Sequence, residues 1–312
     1  MSHKVQILLS FFALFIIAGC TQSIVSEQVA MRLASPAWMV QRQIPAGPFA
    51  LTAFERMHER HTTANIYIEG DGFELSLPNA GQTPTPINPV ALHLATRDKA
   101  DNVAYLARPC QFSGMLDREA KCDSKYWTDS RYSQTVIAAY NAALNEIRNR
   151  YDIEGFNLIG YSGGGGIATI LAAQRNDITS LRTVAGNLDI MAYTTHHNVM
   201  PLSDSLNPAD FASKLKDLPQ AHYIGGQDDY IVPSNLEGYL QKIGNTRCVT
   251  YDLIQEAEHH EGWVEKWPEL LAATPQCKGP SAPPPTFIEY QRQIPIFRPR
   301  DPCLEKGGKC LK

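Results

Sequence analysis

The 312-residue sequence lacks a basic excess: 28 lysines and arginines stand against 32 aspartates and glutamates, a formal net charge of −4. Nothing in that balance marks a nucleic-acid partner. No run of like charge is long enough to be an interaction tail. The seven cysteines lack C-x-x-C spacing, which argues against a structural zinc site. The histidines form no H-E-x-x-H pair, so His58, His61, His196 and His197 read as surface or loop residues. What remains is an ordinary globular composition, 44% hydrophobic and 19% charged, enough to bury a large core.

The N-terminus is set apart from that core. Lys4 precedes the apolar run Ile7 to Ala18, too short to span a bilayer comfortably and of the size of a signal-peptide core. The run ends in Ile17-Ala18-Gly19-Cys20, which resembles the bacterial lipobox. That resemblance implies cleavage of residues 1–19 and lipid on Cys20. Thr21 in place of aspartate implies the outer membrane, with the protein facing the periplasm. Residues 20–33 then read as a tether. Six cysteines follow, in three neighbouring pairs, and an even count in an oxidising compartment reads as disulfides. Six cysteines allow fifteen connectivities; the simplest is Cys110–Cys122, Cys248–Cys277 and Cys303–Cys310.

Residues 34–278 alternate short apolar runs with helical periodicity. Strands are expected near 65–68, 102–106, 156–159, 181–185, 221–224 and 248–254. Helices are expected near 90–96, 133–150, 167–173, 209–216, 236–243 and 263–272, with 187–219 otherwise irregular. Such alternation implies right-handed crossovers and a mostly parallel central sheet with helices on both faces. Residues 279–312 are a proline-rich tail. The pentapeptide QRQIP occurs at Gln41–Pro45 and Gln291–Pro295, too short for a repeat architecture.

The stretch LIGYSGGGGIAT, Leu158 to Thr169, admits three readings. A phosphate-binding loop needs a lysine that Ile167-Ala168 do not supply. A dinucleotide fingerprint fits formally as Gly163-x-Gly165-x-x-Ala168 with Asp189 downstream, but several strands precede it. The third is Gly160-Tyr161-Ser162-Gly163-Gly164, a G-x-S-x-G turn that lifts a serine above a sheet. A serine hydroxyl needs a base, and the base needs a carboxylate. Both follow in the order serine, acid, histidine. Gly226-Gln227-Asp228-Asp229-Tyr230-Ile231-Val232-Pro233 comes after one strand, and Glu258-His259-His260-Glu261-Gly262-Trp263 after the last.

At these three segments the chain resembles the α/β-hydrolase superfamily. The resemblance implies Ser162 as nucleophile, Asp229 as acid with Asp228 as its rival, and His259 as base with His260 as its rival. It implies an oxyanion hole from the N–H of Gly163 and one from Asp71 or Gly72, in Glu69-Gly70-Asp71-Gly72, where many relatives carry His-Gly-x-Gly. Arg108-Pro109-Cys110-Gln111 follows the next strand, where a Cys110–Cys122 bridge would pin that edge of the site. The implied activity is hydrolysis of a small acyl ester, with no cofactor or metal needed. A peptidase or thioesterase fits the same residues, and the rival of another class is a non-catalytic envelope lipoprotein. Oligomeric state is not legible.

Overall fold

A computed structural model describes residues 25–72, 83–113 and 122–278. Eight strands form one sheet: β1 (Val40–Ala46), β2 (Phe49–Met57), β3 (Thr63–Ile68), β4 (Asn102–Leu106), β5 (Gly155–Tyr161), β6 (Ile178–Val184), β7 (Gln220–Gly225) and β8 (Val249–Ile254). Their spatial order is β1-β2-β4-β3-β5-β6-β7-β8. The first two join as a hairpin whose two-residue turn is Gly47-Pro48, with Gly47 at φ +65°. β2 pairs antiparallel with β4; every pairing from β4 onward is parallel. Parallel strands covered on both faces read as unbroken apolar runs. β4, Asn-Val-Ala-Tyr-Leu, is buried at all its positions.

Seven helices flank the sheet among the described residues. α1 covers 25–34. α2 (Val90–Arg97), α3 (Gln134–Tyr151), α4 (Gly163–Gln174), α5 (Ile190–His196), α6 (Pro233–Ile243) and α7 (Trp263–Ala272) follow. α3, α4 and α6 pack on one face around Val136, Tyr140, Ile167, Ile170 and Leu240. α1, α2 and α7 pack on the other around Ala30, Leu94, Trp263 and Trp267. The clearest sequence signal, the period of Val136, Ile137, Tyr140, Leu144 and Ile147, becomes the buried face of α3. Ser133 caps that helix by accepting the Val136 N–H.

Four local expectations change. Part of the expected tether is helical, because Ser26, Ala30 and Ala34 recur every four residues and form a small-residue face buried against the second core. α4 begins at Gly163, not at Ile167: glycine disfavours a helix, but close packing at this junction requires it. α5 lies inside the segment expected to be irregular, capped by Asp189, whose carboxylate accepts the N–H groups of Met191 and Ala192. The helix expected at 209–216 is a run of 3-10 turns, Pro208–Leu215, started by Asn207.

Cys110–Cys122 and Cys248–Cys277 are bonded as expected. Cys303–Cys310, the signal segment, Cys20 and the tail lie outside the described residues. No helix among the described residues is long and apolar enough to cross a membrane.

Candidate active site

Three loops at the C-terminal ends of parallel strands converge on one cleft, the place where open α/β sheets bind ligands. Ser162 follows β5 directly. Its backbone is left-handed, φ 50° and ψ −122°, a conformation that costs a non-glycine residue about 1–3 kcal/mol. It is held there from three sides. Its N–H donates to the Val184 carbonyl at 3.0 Å, and its carbonyl accepts the N–H groups of Gly165 and Asn187, each at 2.9 Å. The turn is so tight that a Cβ on Gly160 would lie 2.3 Å from the Gly164 carbonyl oxygen. One on Gly164 would lie 2.2 Å from that of Ile68. Only hydrogen fits at either position.

β7 and β8 are adjacent, with Ile224 opposite Leu253 and Gly225 opposite Ile254. The loops that leave them lock together: the Gln227 N–H donates to the Ala257 carbonyl at 3.0 Å. This brings Asp228 to His259. The His259 Nδ1–H donates to Asp228 Oδ2 at 2.8 Å, and the Ser162 hydroxyl reaches His259 Nε2 at 3.0 Å. With Nδ1 carrying the proton, Nε2 is the acceptor. The Asp228 carboxyl group is fully buried. Its other oxygen accepts the N–H groups of Tyr230 and Ile231, both at 2.8 Å.

Those two bonds correct the choice of Asp229. Counting back from Val232-Pro233 selects Asp229, but the turn is built on the Asp228 side chain, which accepts from the residues two and three ahead. That anchors one carboxylate oxygen and turns the other onto the histidine. Asp229 is exposed. Of the histidine pair, His259 faces the serine. His260 turns the other way, its Nδ1 lying 2.8 Å from the Tyr161 hydroxyl, which also donates to the His259 carbonyl at 2.8 Å. Trp263, fully buried, donates its indole N–H to the carbonyls of Glu258 and His259 and fixes the same turn.

The loop after β3 completes the site. A Cβ on Gly70 would stand 3.1 Å from Ser162 Cβ, and one on Gly163 would strike Asp71 Oδ1 at 2.3 Å. Gly70 and Asp71 therefore line Ser162 and Gly163. Gly72 lies against the Pro84 carbonyl and lines the same cleft as Ser162. His196 and His197 are not among the residues that line the cleft; His197 Nε2 bonds the Tyr230 carbonyl and supports that loop. Among the described residues no group of three or more His, Cys, Asp or Glu could hold a metal. The cleft has a volume of about 380 Å³ and is lined in part by Ile87, Arg131, Tyr161, Tyr193 and Tyr230. Arg131 has no motif in the sequence and enters only through the fold.

Glu69 follows β3 directly and is buried. Burial pushes its carboxyl up from 4.5 to about 7, against the pull of the Gly70 and Ala91 N–H groups that it accepts. A carboxyl raised on folding contributes stability that is complete below pH 4.5 and lost as pH rises to about 7. Glu69→Gln, which cannot ionise, should gain on the wild type across that window by about 3 kcal/mol and stay parallel to it above pH 7. Urea unfolding between pH 4 and 8 measures this; a difference independent of pH would show that Glu69 stays ionised in the fold.

A family model described as alpha/beta hydrolase fold matches residues 73–214. The matched region holds Ser162 and ends before Asp228 and His259. Among solved structures, an esterase of Pyrococcus furiosus is 14% identical, with a TM-score of 0.51, over 75% of this chain and 90% of its own. Est1E from Butyrivibrio proteoclasticus is 13% identical, with a TM-score of 0.50, over 74% of this chain and 95% of its own. A proline iminopeptidase of Mycobacterium smegmatis is 11% identical, with a TM-score of 0.53, over 75% and 95%. At these identities the likeness is one of fold. No curated protein matches the chain by sequence.

Proposed function

We propose that this chain, an α/β-hydrolase in fold, is a serine hydrolase that cleaves carboxylic esters through an acyl-enzyme. The observation that carries the reading is the unbroken hydrogen-bond line from Asp228 through His259 to Ser162, set on a strained serine backbone. In this mechanism Ser162 Oγ attacks the acyl carbon while its proton passes to His259 Nε2. Asp228 stabilises the imidazolium and keeps its Nδ1 proton in place. The negative charge on the former carbonyl oxygen meets the N–H groups of Gly163 and of Asp71 or Gly72. The C–O bond to the leaving alcohol breaks as His259 returns the proton to that oxygen. A water molecule then gives a proton to His259, attacks the acyl-enzyme and releases the acid, and Ser162 regains its proton.

The tyrosines of the cleft, Tyr161, Tyr193 and Tyr230, offer apolar faces to a small acyl or aryl group. Est1E has been solved with ferulic acid bound, which makes aromatic acids a sensible first series of esters to assay. The proline iminopeptidase neighbour makes amides the second series, since the same three residues serve either bond.

The test is steady-state turnover of p-nitrophenyl esters against matched anilides. Asp228→Asn should lower kcat by about 10⁴-fold, the effect of fixing the wrong tautomer. Asp229→Asn should stay within about threefold of the wild type. Equal losses in the two variants would remove Asp228 from its role. Turnover of neither series by folded protein would favour a binding lipoprotein.

The proposal extends to location. A lipid on Cys20 would hold the enzyme in a bacterial envelope, at the outer membrane. Cys20→Ser should then move the protein from the membrane to the soluble fraction; an unchanged distribution would sink the anchor.

A further inference from the structure

Beside the nucleophile lies a group that a serine hydrolase has reason to avoid. The Asp71 carboxylate packs on the Cα of Gly163, within reach of the region where a tetrahedral intermediate would place its negative charge. Two cations hold that carboxylate. Arg108 donates to Asp71 Oδ1 at 2.6 Å, and Arg131 donates to Oδ2 at 3.1 Å. Both arginine side chains are almost wholly buried, 3% and 6% exposed. Burial pushes the Asp71 carboxyl up, but the Arg108 and Arg131 guanidiniums outweigh it and hold it below its ordinary value. The carboxylate is thus ionised, and two cations against one anion leave the cluster with a single positive charge.

The arginines are themselves anchored. The turn after β4 carries Arg108 and Gln111, and the Gln111 amide donates to the carbonyls of Gly70 and Pro84, each at 3.0 Å. Cys110 and Phe112 of that turn are left-handed, at φ 70° and 52°. Cys110 is bonded to Cys122, in the arm that leads to Arg131. The Arg131 Nε–H donates to the Thr128 carbonyl at 2.6 Å, and Arg108 donates to the Arg131 carbonyl. One turn therefore grips both the backbone and the side chain of the 70–71 loop.

We propose that Arg108 and Arg131 are positioning residues of the oxyanion site: they cancel the charge of Asp71 and hold the 70–71 loop against Gly163. The proposal rests on the serine-hydrolase reading above. Its physical content is the net charge beside the developing oxyanion: positive while both arginines face Asp71, cancelled when Arg131 is lost and Arg108 alone pairs the carboxylate, and positive again when Asp71 is made neutral as well.

The experiment measures kcat and KM for p-nitrophenyl acetate, per active site titrated by the burst of p-nitrophenol, so that misfolded protein is not counted. Arg131→Gln should lower kcat by about 10²-fold, the size of losing one oxyanion donor, with KM within about twofold. Adding Asp71→Asn to Arg131→Gln should restore kcat to within about tenfold of the wild type. Arg131→Lys, which keeps a cation, should lose much less than Arg131→Gln. Four outcomes overturn the proposal: an unaltered Arg131→Gln, a double variant no faster than Arg131→Gln, a lysine variant as slow as the glutamine variant, or a change confined to KM, which would make Arg131 a substrate contact. Wild-type turnover and its loss in Ser162→Ala are read alongside. Their absence would bring down the serine-hydrolase reading itself, whereas their presence with an unaltered Arg131→Gln would bring down this proposal alone.

Discussion

The site depends on one close approach. β5 ends and α4 begins within a single residue, so the chain must reverse where Gly160 faces Gly164 and Gly164 faces the carbonyl of Ile68 at the end of β3. No side chain fits at either place. The reversal forces Ser162 into a left-handed backbone that only a strongly held environment sustains. Hydrogen bonds from the end of β6 and from the first turn of α4 supply that hold. The same crowding brings the loop after β3 against the nucleophile, so the strain and the site have one origin.

Around that fixed point the sheet does the rest. Strand order, not sequence distance, makes the loops after β3, β5, β7 and β8 neighbours. Asp228 lies 31 residues from His259, and Ser162 lies 97 from it. Each side chain is aimed by backbone contacts of its own: Asp228 by the N–H groups of Tyr230 and Ile231, and the histidine turn by Trp263 and Tyr161. Side chains locked in this way lose little freedom when a substrate arrives, the condition for preorganised chemistry.

Much of this was legible in the sequence, for identifiable reasons. β4 follows from an unbroken apolar run and α3 from helical periodicity, and the G-x-S-x-G turn has a steric requirement that only glycines meet. The resemblance puts His259 before His260, and the structure turns His259 to the serine. The choice between Asp228 and Asp229 was not legible, because spacing from Val232-Pro233 competes with turn chemistry. Here the turn wins: an aspartate that accepts from two following N–H groups is fixed, while its neighbour is left in water. Helix α1 was missed because alanine and serine at four-residue spacing carry little apolar signal. Arg131 was illegible, since its partner Asp71 is 60 residues away and no local pattern joins them.

The central claim is that Asp228, His259 and Ser162 act as one nucleophilic unit. Peptide mapping of the full chain after exposure to a fluorophosphonate tests it most directly. The account predicts a single adduct on Ser162, absent after His259→Ala and retained in His260→Ala. Folded protein that takes no label, or an adduct that forms as fast without His259, would contradict it.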